Sequence, residues 1–310
     1  MHPIGLCLST GRSGTTYLAR ALAATYGDTA HVFHEDIDDP QSKPRRYLHY
    51  RSPDDLAQLR SDPDIATHLA RIERLAATDA YIDVGHPAMA IVPLVIATFP
   101  KRVRLVHLVR EPVSVAASYT TMGQYDPNQA DTVGLNPWLP DPTVTRCAHP
   151  VPPDTWAAMT PFEKNLWRWG EYQLAAVEIH RDHPEVPFLR VSSDELFRTP
   201  DTVARIAAFY GLEPRSVVIP PRSRNEANPN LTVMHSVGPE WKRYTDYPWV
   251  LDLARELGVP VPVDGLEERM RRYAAPSAGE LFRYRWRQRF TWTWIRNRLR
   301  RLFHRPPATR

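Results

Sequence analysis

Short apolar runs alternate with longer amphipathic segments along most of the first 212 residues. The short runs predict β-strands, which we expect at residues 4–8, 31–34, 81–87, 104–109 and 188–192. The longer segments repeat apolar residues every three or four positions and predict α-helices, of which the clearest are at 65–75, 91–99, 112–119, 161–182 and 202–210. Strands that alternate with helices imply right-handed crossovers. The pattern therefore predicts an α/β fold of three layers with a central parallel sheet.

Length and composition favour one large α/β domain over residues 1–278. Within it, residues 123–160 include a stretch rich in Pro, Asn, Asp and Gly that lacks periodicity. A structureless stretch of this length predicts an active-site lid, because it would leave from the crevice side of the sheet. Its aromatic residues are interpreted either as substrate contacts or as packing anchors, and they are Tyr125, Trp138 and Trp156.

The C-terminal tail, residues 279–310, differs sharply from the rest of the chain. It carries ten arginines and one acid, a net charge of +9, which leaves −5 for the remainder of a chain whose total is +4. On a helix, its aromatic and aliphatic residues form stripes between the arginines. A basic amphipathic helix of this kind is typical of binding to a membrane surface. Docking on the acidic body stays open as an alternative, and nucleic-acid binding is a weaker one.

Cysteine content and the N-terminus indicate a compartment. Cys7 and Cys147 suggest no disulfide framework, and the chain enters its first strand within a few residues, which leaves no room for a signal peptide. No uninterrupted apolar run approaches the ~20 residues of a membrane span. We therefore expect a cytoplasmic protein, peripheral at the inner face of the membrane if the tail binds lipid.

The first strand leads into a loop and a helix with the composition of a phosphate site. The loop reads STGRSG over residues 9–14, and two threonines open the helix. Gly11 and Gly14 let the backbone fold closely around an anion, and the first N–H groups of the helix point at it. Gly, Ser and Thr before a helix are also ordinary capping residues. The favoured interpretation is a phosphate site to which Arg12 adds a cation.

A second phosphate-binding pattern follows the fourth strand. Arg110 ends that strand, and Ser118 lies eight residues further along a helix that begins at Pro112. An arginine fork matches a phosphate dianion, and a serine hydroxyl adds a donor. A surface ion pair of Arg110 with Glu111 or with another acid is the alternative. Both motifs follow strand ends, where open parallel sheets bind their ligands.

These two motifs resemble the nucleotide-binding segments of sulfotransferases that use 3′-phosphoadenosine 5′-phosphosulfate (PAPS). The loop lacks the lysine of the nucleotide triphosphatase pattern, and the run VHLVREPVSVAASY is similar to the family's 3′-phosphate-binding segment. The resemblance covers residues 4–212 in the order of elements, and Glu111 departs from the family's usual aspartate. It implies a P-loop-like fold, PAPS as the donor, and sulfuryl transfer to a hydroxyl or amine without a metal.

The resemblance also implies a role for individual residues. It implies that the 5′-phosphosulfate is bound by Arg12, Ser13, Gly14, Thr15 and Thr16. Arg12 would also stabilise charge on the bridging oxygen. The 3′-phosphate would be bound by Arg110 and Ser118. A late basic loop would return over the nucleotide at Arg224, His235, Ser236, Gly238 and Lys242.

The acceptor hydroxyl needs a base, and Glu35 is the first candidate because it follows the second strand, where related enzymes place a Glu or a His. His34 and His86 are the other candidates. Consecutive residues on a strand point to opposite sides, so at most one of His34 and Glu35 faces the crevice if the strand extends that far. The expected acceptor is a hydroxyl-bearing small molecule, a glycan, a glycolipid or a secondary metabolite, and the spent donor is adenosine 3′,5′-bisphosphate.

Two other functions stay open at this point. A P-loop kinase or NTPase could use Asp83, at the end of the third strand, as a Walker-B-like acid, but the lysine expected after Gly14 is absent. A non-catalytic, membrane-associated nucleotide-binding protein would instead act through residues 279–310. Magnesium-dependent ATP turnover distinguishes the first of these from sulfuryl transfer.

Overall fold

In the computed structural model, a parallel sheet forms the centre of the molecule. The structure describes residues 2–38, 57, 59–125, 139–142, 147–219, 237–271 and 273. Within these ranges the strands are β1 (Ile4–Leu8), β2 (Ala30–Phe33), β3 (Ala80–Asp83), β4 (Val103–Val109) and β5 (Phe188–Ser192). They lie in the order β2-β3-β1-β4-β5, and every pair is parallel. The expected α/β fold with a central parallel sheet is confirmed.

Helices cover both faces of the sheet. They are α1 (Thr15–Tyr26), α2 (Pro63–Thr78), α3 (Val92–Thr98), α4 (Pro112–Thr121), α5 (Pro153–Ala158), α6 (Pro161–Asp182), α7 (Ser193–Arg198), α8 (Pro200–Phe209), α9 (Pro248–Glu256) and α10 (Leu266–Arg271). Turns of 3₁₀ helix lie at Asp36–Asp38, His86–Ile91 and Pro239–Asp246. The helix expected over 91–99 therefore begins with a 3₁₀ segment, and the one expected over 202–210 begins earlier, at Pro200.

Alternating side chains of β1 divide the core between the two faces. Leu6 and Leu8 pack with α2, α3 and α6, whereas Cys7 packs with α1, α7 and α8. The period of two along a strand explains this division, because successive side chains point to opposite faces. The result is the predicted arrangement of three layers.

The topology places a crevice at the carboxyl ends of β1 and β4. The chain leaves β1 toward β2 at one edge of the sheet, and β4 later pairs on the opposite side of β1. Leu8 pairs with His107 and Val109 with Ser192, so these strands end at a common level. In open parallel sheets, a reversal of strand order at this position opens the ligand crevice.

The described part of the lid-like segment packs on the body through aromatic side chains. The Trp156 ring lies 5.4 Å from that of Tyr125 and 5.1 Å from that of Trp167, and all three are buried. The packing-anchor interpretation therefore holds for Tyr125 and Trp156. Trp138 lies outside the described residues, as do Arg224, His235, Ser236 and the tail 279–310. Among the helices described, none is both long enough and apolar enough to cross a membrane.

Candidate active site

The loop between β1 and α1 has the backbone of an anion cradle. Gly11, Arg12 and Gly14 have φ angles of 73°, 56° and 99°, in the left-handed region that favours glycine. Gly14 precedes α1 and supplies no side-chain cap, and no acid lies in the first turn of the helix. The N–H groups at the start of α1 are therefore left for a ligand, at the positive end of the helix dipole.

Side chains from two distant helices hold this loop in place. The Tyr119 hydroxyl of α4 donates to the carbonyl of Thr10 at 2.5 Å, and a Cβ atom at Gly11 would overlap that hydroxyl. Ser193 of α7 donates from Oγ to the carbonyls of Ser13, at 2.6 Å, and Val109, at 3.2 Å. These hydrogen bonds fix the loop backbone at Thr10 and Ser13. Sequence reasoning missed Tyr119 and Ser193, because no local pattern marks a contact with a loop more than 100 residues away.

The two phosphate-binding motifs meet in space. Arg12 donates from Nε to Ser118 Oγ at 2.8 Å, and Arg110 donates from Nη1 to the carbonyl of Arg12 at 3.0 Å. Glu111 does not pair with Arg110, because its carboxylate accepts the N–H groups of Val113 and Ser114 and caps α4. The alternative of an Arg110–Glu111 ion pair is therefore wrong, and the Arg110 side chain contacts the loop backbone instead.

Both candidate bases that follow β2 lie at the crevice. His34 Nε2 is 3.2 Å from Thr15 Oγ1 and 3.1 Å from Thr16 Oγ1, and it is 3.9 Å from Glu35 Oε1. The strand stops at Phe33, and Glu35 has a φ of 64°, so the alternation of a strand does not apply here. The expectation that at most one of the two faces the crevice was conditional on a longer strand, and it does not apply here because that condition is not met.

Glu35 also contacts the third candidate base. Its Oε1 lies 3.1 Å from Nδ1 of His86, which starts the 3₁₀ turn after β3. Its backbone N–H donates to Asp83 Oδ1 at 3.0 Å, which holds the left-handed turn against the end of β3. His34, Glu35 and His86 thus form a connected group beside the first turn of α1.

The charges in this group follow from burial and neighbouring groups. Burial acts to raise the pKa of Glu35, but the hydrogen bond from His86 and the charges of His86, His34 and Arg12 outweigh it and lower that pKa to about 2. Burial also lowers the pKa of His34, although Glu35 opposes this effect. At neutral pH we therefore expect an ionised Glu35 beside a neutral His34.

The Asp83 side chain accepts hydrogen bonds from the backbone and is not exposed to the crevice. Its side chain is fully buried, and Oδ1 accepts the N–H groups of Glu35 and Asp36. Burial and the nearby Asp36 charge raise the pKa of Asp83 well above the usual range of a carboxyl. A Walker-B acid must be ionised to hold Mg²⁺, and this environment favours the neutral form instead.

The structure describes two of the five residues expected in a late basic loop, Gly238 and Lys242. Gly238 donates its N–H to Glu240 Oε1 at 2.9 Å, just before the 3₁₀ turn at Pro239–Asp246. Trp241 and Tyr244 of that turn pack beside α4 and α9. A contact of Gly238 with a nucleotide stays a prediction.

No family model matches this chain, and no curated protein matches it. Among solved structures, it is similar to the sulfotransferase domain of the olefin synthase from Synechococcus PCC 7002, with 17% identity, a TM-score of 0.48, and coverage of 84% of this chain and 96% of that one. A sulfotransferase from Alicyclobacillus acidocaldarius has 12% identity, a TM-score of 0.46 and coverage of 84% and 98%. A mouse sulfotransferase complexed with PAP has 16% identity, a TM-score of 0.40 and coverage of 88% and 89%.

Proposed function

We propose that this protein transfers a sulfuryl group from PAPS to a hydroxyl or amine of an acceptor. The observation that carries the proposal is the junction of Arg12, Ser118 and Arg110 at the ends of β1 and β4. It brings two phosphate-binding motifs into one crevice, as a nucleotide with separate 5′ and 3′ phosphates requires. A nucleoside triphosphate would need only the first motif.

In this proposal each phosphate has its own donors. The N–H groups at the start of α1 and the Arg12 guanidinium bind the 5′-phosphosulfate. Arg110 and Ser118 bind the 3′-phosphate, and the contact between Arg12 and Ser118 then couples the two sites. Rigid support of the loop by Tyr119 means that little reorganisation accompanies binding.

Sulfuryl transfer requires the acceptor to be aligned with the sulfur atom and requires stabilisation of the charge on the leaving phosphate. A bond forms between the acceptor oxygen and sulfur, the bond from sulfur to the bridging phosphate oxygen breaks, and the acceptor proton moves to Glu35. Arg12 and the helix N–H groups stabilise the charge that develops on the departing phosphate. Because the pKa of Glu35 is about 2, it is a weak base. Proton transfer should therefore be late, after the forming bond has acidified the hydroxyl.

Binding of the spent donor tests the proposal directly. Calorimetric titration of adenosine 3′,5′-bisphosphate without metal should give tight binding, and Arg110→Ala should weaken it at least tenfold, about 1.4 kcal/mol. Arg205→Ala, which removes an exposed arginine that pairs with Glu195, is the matched control and should bind as the wild type does. Preference for ATP with Mg²⁺ over the bisphosphate would favour the kinase or NTPase alternative instead.

A further inference from the structure

The Arg168 side chain of α6 is buried without a counterion among the described residues. It is 2% exposed, and its Nε and Nη1 atoms have no hydrogen-bond partner there. The guanidinium carbon instead lies 4.1 Å from the ring centroid of Tyr119 and 5.2 Å from that of Tyr172. Both rings present an aromatic face to the cation, which compensates part of its lost hydration.

This guanidinium adjoins the candidate active site on the side of the base. The hydroxyl of Tyr119 holds the loop at Thr10 and abuts Gly11. The ring of Tyr172 lies 6.2 Å from that of His86, which is the hydrogen-bond partner of Glu35. One aromatic ring thus separates Arg168 from the phosphate loop, and another separates it from His86.

The other buried charges on α6 differ from Arg168. Glu163 accepts hydrogen bonds from Thr160 and Tyr247 and pairs with Arg243 at 3.0 Å. Glu171 accepts the N–H groups of Ala148 and His149. Arginine stays protonated at every relevant pH, so Arg168 cannot become neutral as a buried lysine can.

An unpaired buried cation is unfavourable, because water solvates it far better than two aromatic rings do. Burial acts to lower the pKa of Arg168, but charge interactions with Tyr119, Tyr172 and Tyr125 and a hydrogen bond with Tyr172 raise it. Among the residues that the structure describes, no carboxylate pairs with this guanidinium. An anion from outside the chain would complete this site.

We propose that Arg168 binds an anionic group, a carboxylate or a phosphate, on the acceptor. The acceptor is then a hydroxy acid or a hydroxy phosphate ester, not a neutral alcohol. This proposal rests on the proposed function, because it assigns PAPS to Arg12, Arg110 and the start of α1. Those donors account for both phosphates of the nucleotide, and Arg168 lies one aromatic ring away from His86, on the side from which the acceptor must approach Glu35.

Three related probes test this assignment in the presence of saturating adenosine 3′,5′-bisphosphate. They are 4-hydroxybenzoate, 4-hydroxyphenyl phosphate and 4-hydroxybenzamide, which share a phenol and differ in the charge opposite it. Calorimetry on the wild-type protein should show at least tenfold tighter binding of one anion than of the amide. The anion that binds more tightly shows whether Arg168 binds a carboxylate or a phosphate of the acceptor. Arg168→Met should abolish the difference, and Arg168→Lys should retain part of it.

Two further measurements separate this proposal from other roles of Arg168. Arg168→Met should leave the urea midpoint of the ligand-free protein unchanged or raise it, because methionine fills a similar space without an unpaired charge. Its affinity for the bisphosphate and for PAPS should stay within twofold of the wild type. Loss of PAPS affinity alone would assign Arg168 to the donor sulfonate and overturn the proposal. A strongly lowered urea midpoint would also overturn it, because it would indicate an internal partner.

The two proposals fail in different ways. If the wild-type protein does not bind the bisphosphate, the proposed function fails. If it binds the bisphosphate but binds the amide as well as it binds both anions, only the role of Arg168 is wrong.

Discussion

At the scale of single residues, the ionisation of Glu35 depends on the groups that surround its side chain. Glu35 and the exposed Glu213 have the same side chain, but only Glu35 lies beside two histidines and an arginine at a strand end. Those neighbours keep Glu35 ionised in a partly buried position. The same environment explains why Glu35, and not Asp83, is the carboxylate available to a substrate.

Replacing Glu35 by glutamine tests its role as the base. If Glu35 accepts the acceptor proton, Glu35→Gln should lower kcat by about 10²- to 10⁴-fold. Affinity for adenosine 3′,5′-bisphosphate should stay within twofold, because the phosphates contact other groups. Radiolabelled transfer from PAPS measures kcat, and Glu213→Gln is the matched control. Full activity in Glu35→Gln would exclude this residue as the base.

The lowered pKa of Glu35 predicts a dependence of stability on pH. The folded-state pKa is about 2, compared with an ordinary value of 4.5. The stabilisation is therefore complete above about pH 5 and is lost as the pH falls toward 2. The difference in unfolding free energy between the wild type and Glu35→Gln should shrink by about 2 kcal/mol between pH 6 and pH 3. Urea titrations at the two pH values measure it, and a constant difference would contradict the lowered pKa.

At the scale of elements, the loop before α1 depends on glycine for two separate reasons. Gly14 has a left-handed backbone, and a Cβ atom there would lie 2.8 Å from the Phe197 ring of α7. Gly258 after α9 has a similar φ of 75° but nothing within 4 Å of its Cβ position. A comparison of alanine substitutions at Gly14 and Gly258 therefore separates the cost of backbone strain from the cost of steric overlap.

We expect Gly14→Ala to cost more than Gly258→Ala. Gly258→Ala should lose only the penalty of the left-handed conformation, about 1–2 kcal/mol of unfolding free energy. Gly14→Ala should lose more and should also weaken bisphosphate binding at least tenfold, because α7 or the loop must move. Urea unfolding and calorimetry measure the two effects. Equal stability losses with unchanged binding would indicate that the Phe197 ring yields easily and that the loop is not a rigid cradle.

At the scale of the whole molecule, charge is divided between two parts of the chain. The tail 279–310 carries +9, and the rest carries −5. Because the tail lies outside the described residues, its association with a membrane stays a prediction from composition. The basic pI of the protein belongs to this tail and not to the crevice.

Deleting residues 279–310 tests the membrane prediction. Sedimentation with vesicles that contain anionic lipid should fall at least tenfold, and the residual binding should no longer depend on salt. The full chain with vesicles of neutral lipid is the control. Unchanged sedimentation after the deletion would favour a tail docked on the acidic body.

Much of the fold and part of the site could be predicted from local patterns. The strands, the loop at residues 9–14, and the spacing of Arg110 and Ser118 are properties of short segments, in which periodicity and glycine placement report directly on the backbone. The turn at Glu35 could not be predicted in this way. Its left-handed backbone depends on hydrogen bonds to Asp83, which is 48 residues away.

The amino-acid sequence by itself determined the order of elements, and it supplied the two predicted phosphate-binding motifs and the candidate bases, because each of these is encoded within a few neighbouring residues. Only the tertiary structure decided which of these residues meet. The contact of Arg12 with Ser118 spans 106 residues, and the support of Ser13 by Ser193 spans 180. The burial of Arg168 was equally hidden, because an arginine next to inward-facing Trp169 belongs by periodicity to a solvated face. The helix α6 packs against α4 and α9, and its Trp167 packs against Trp156 of the lid-like segment, so more than one side of the helix is buried. This burial makes the Arg168 cation a candidate for binding the acceptor.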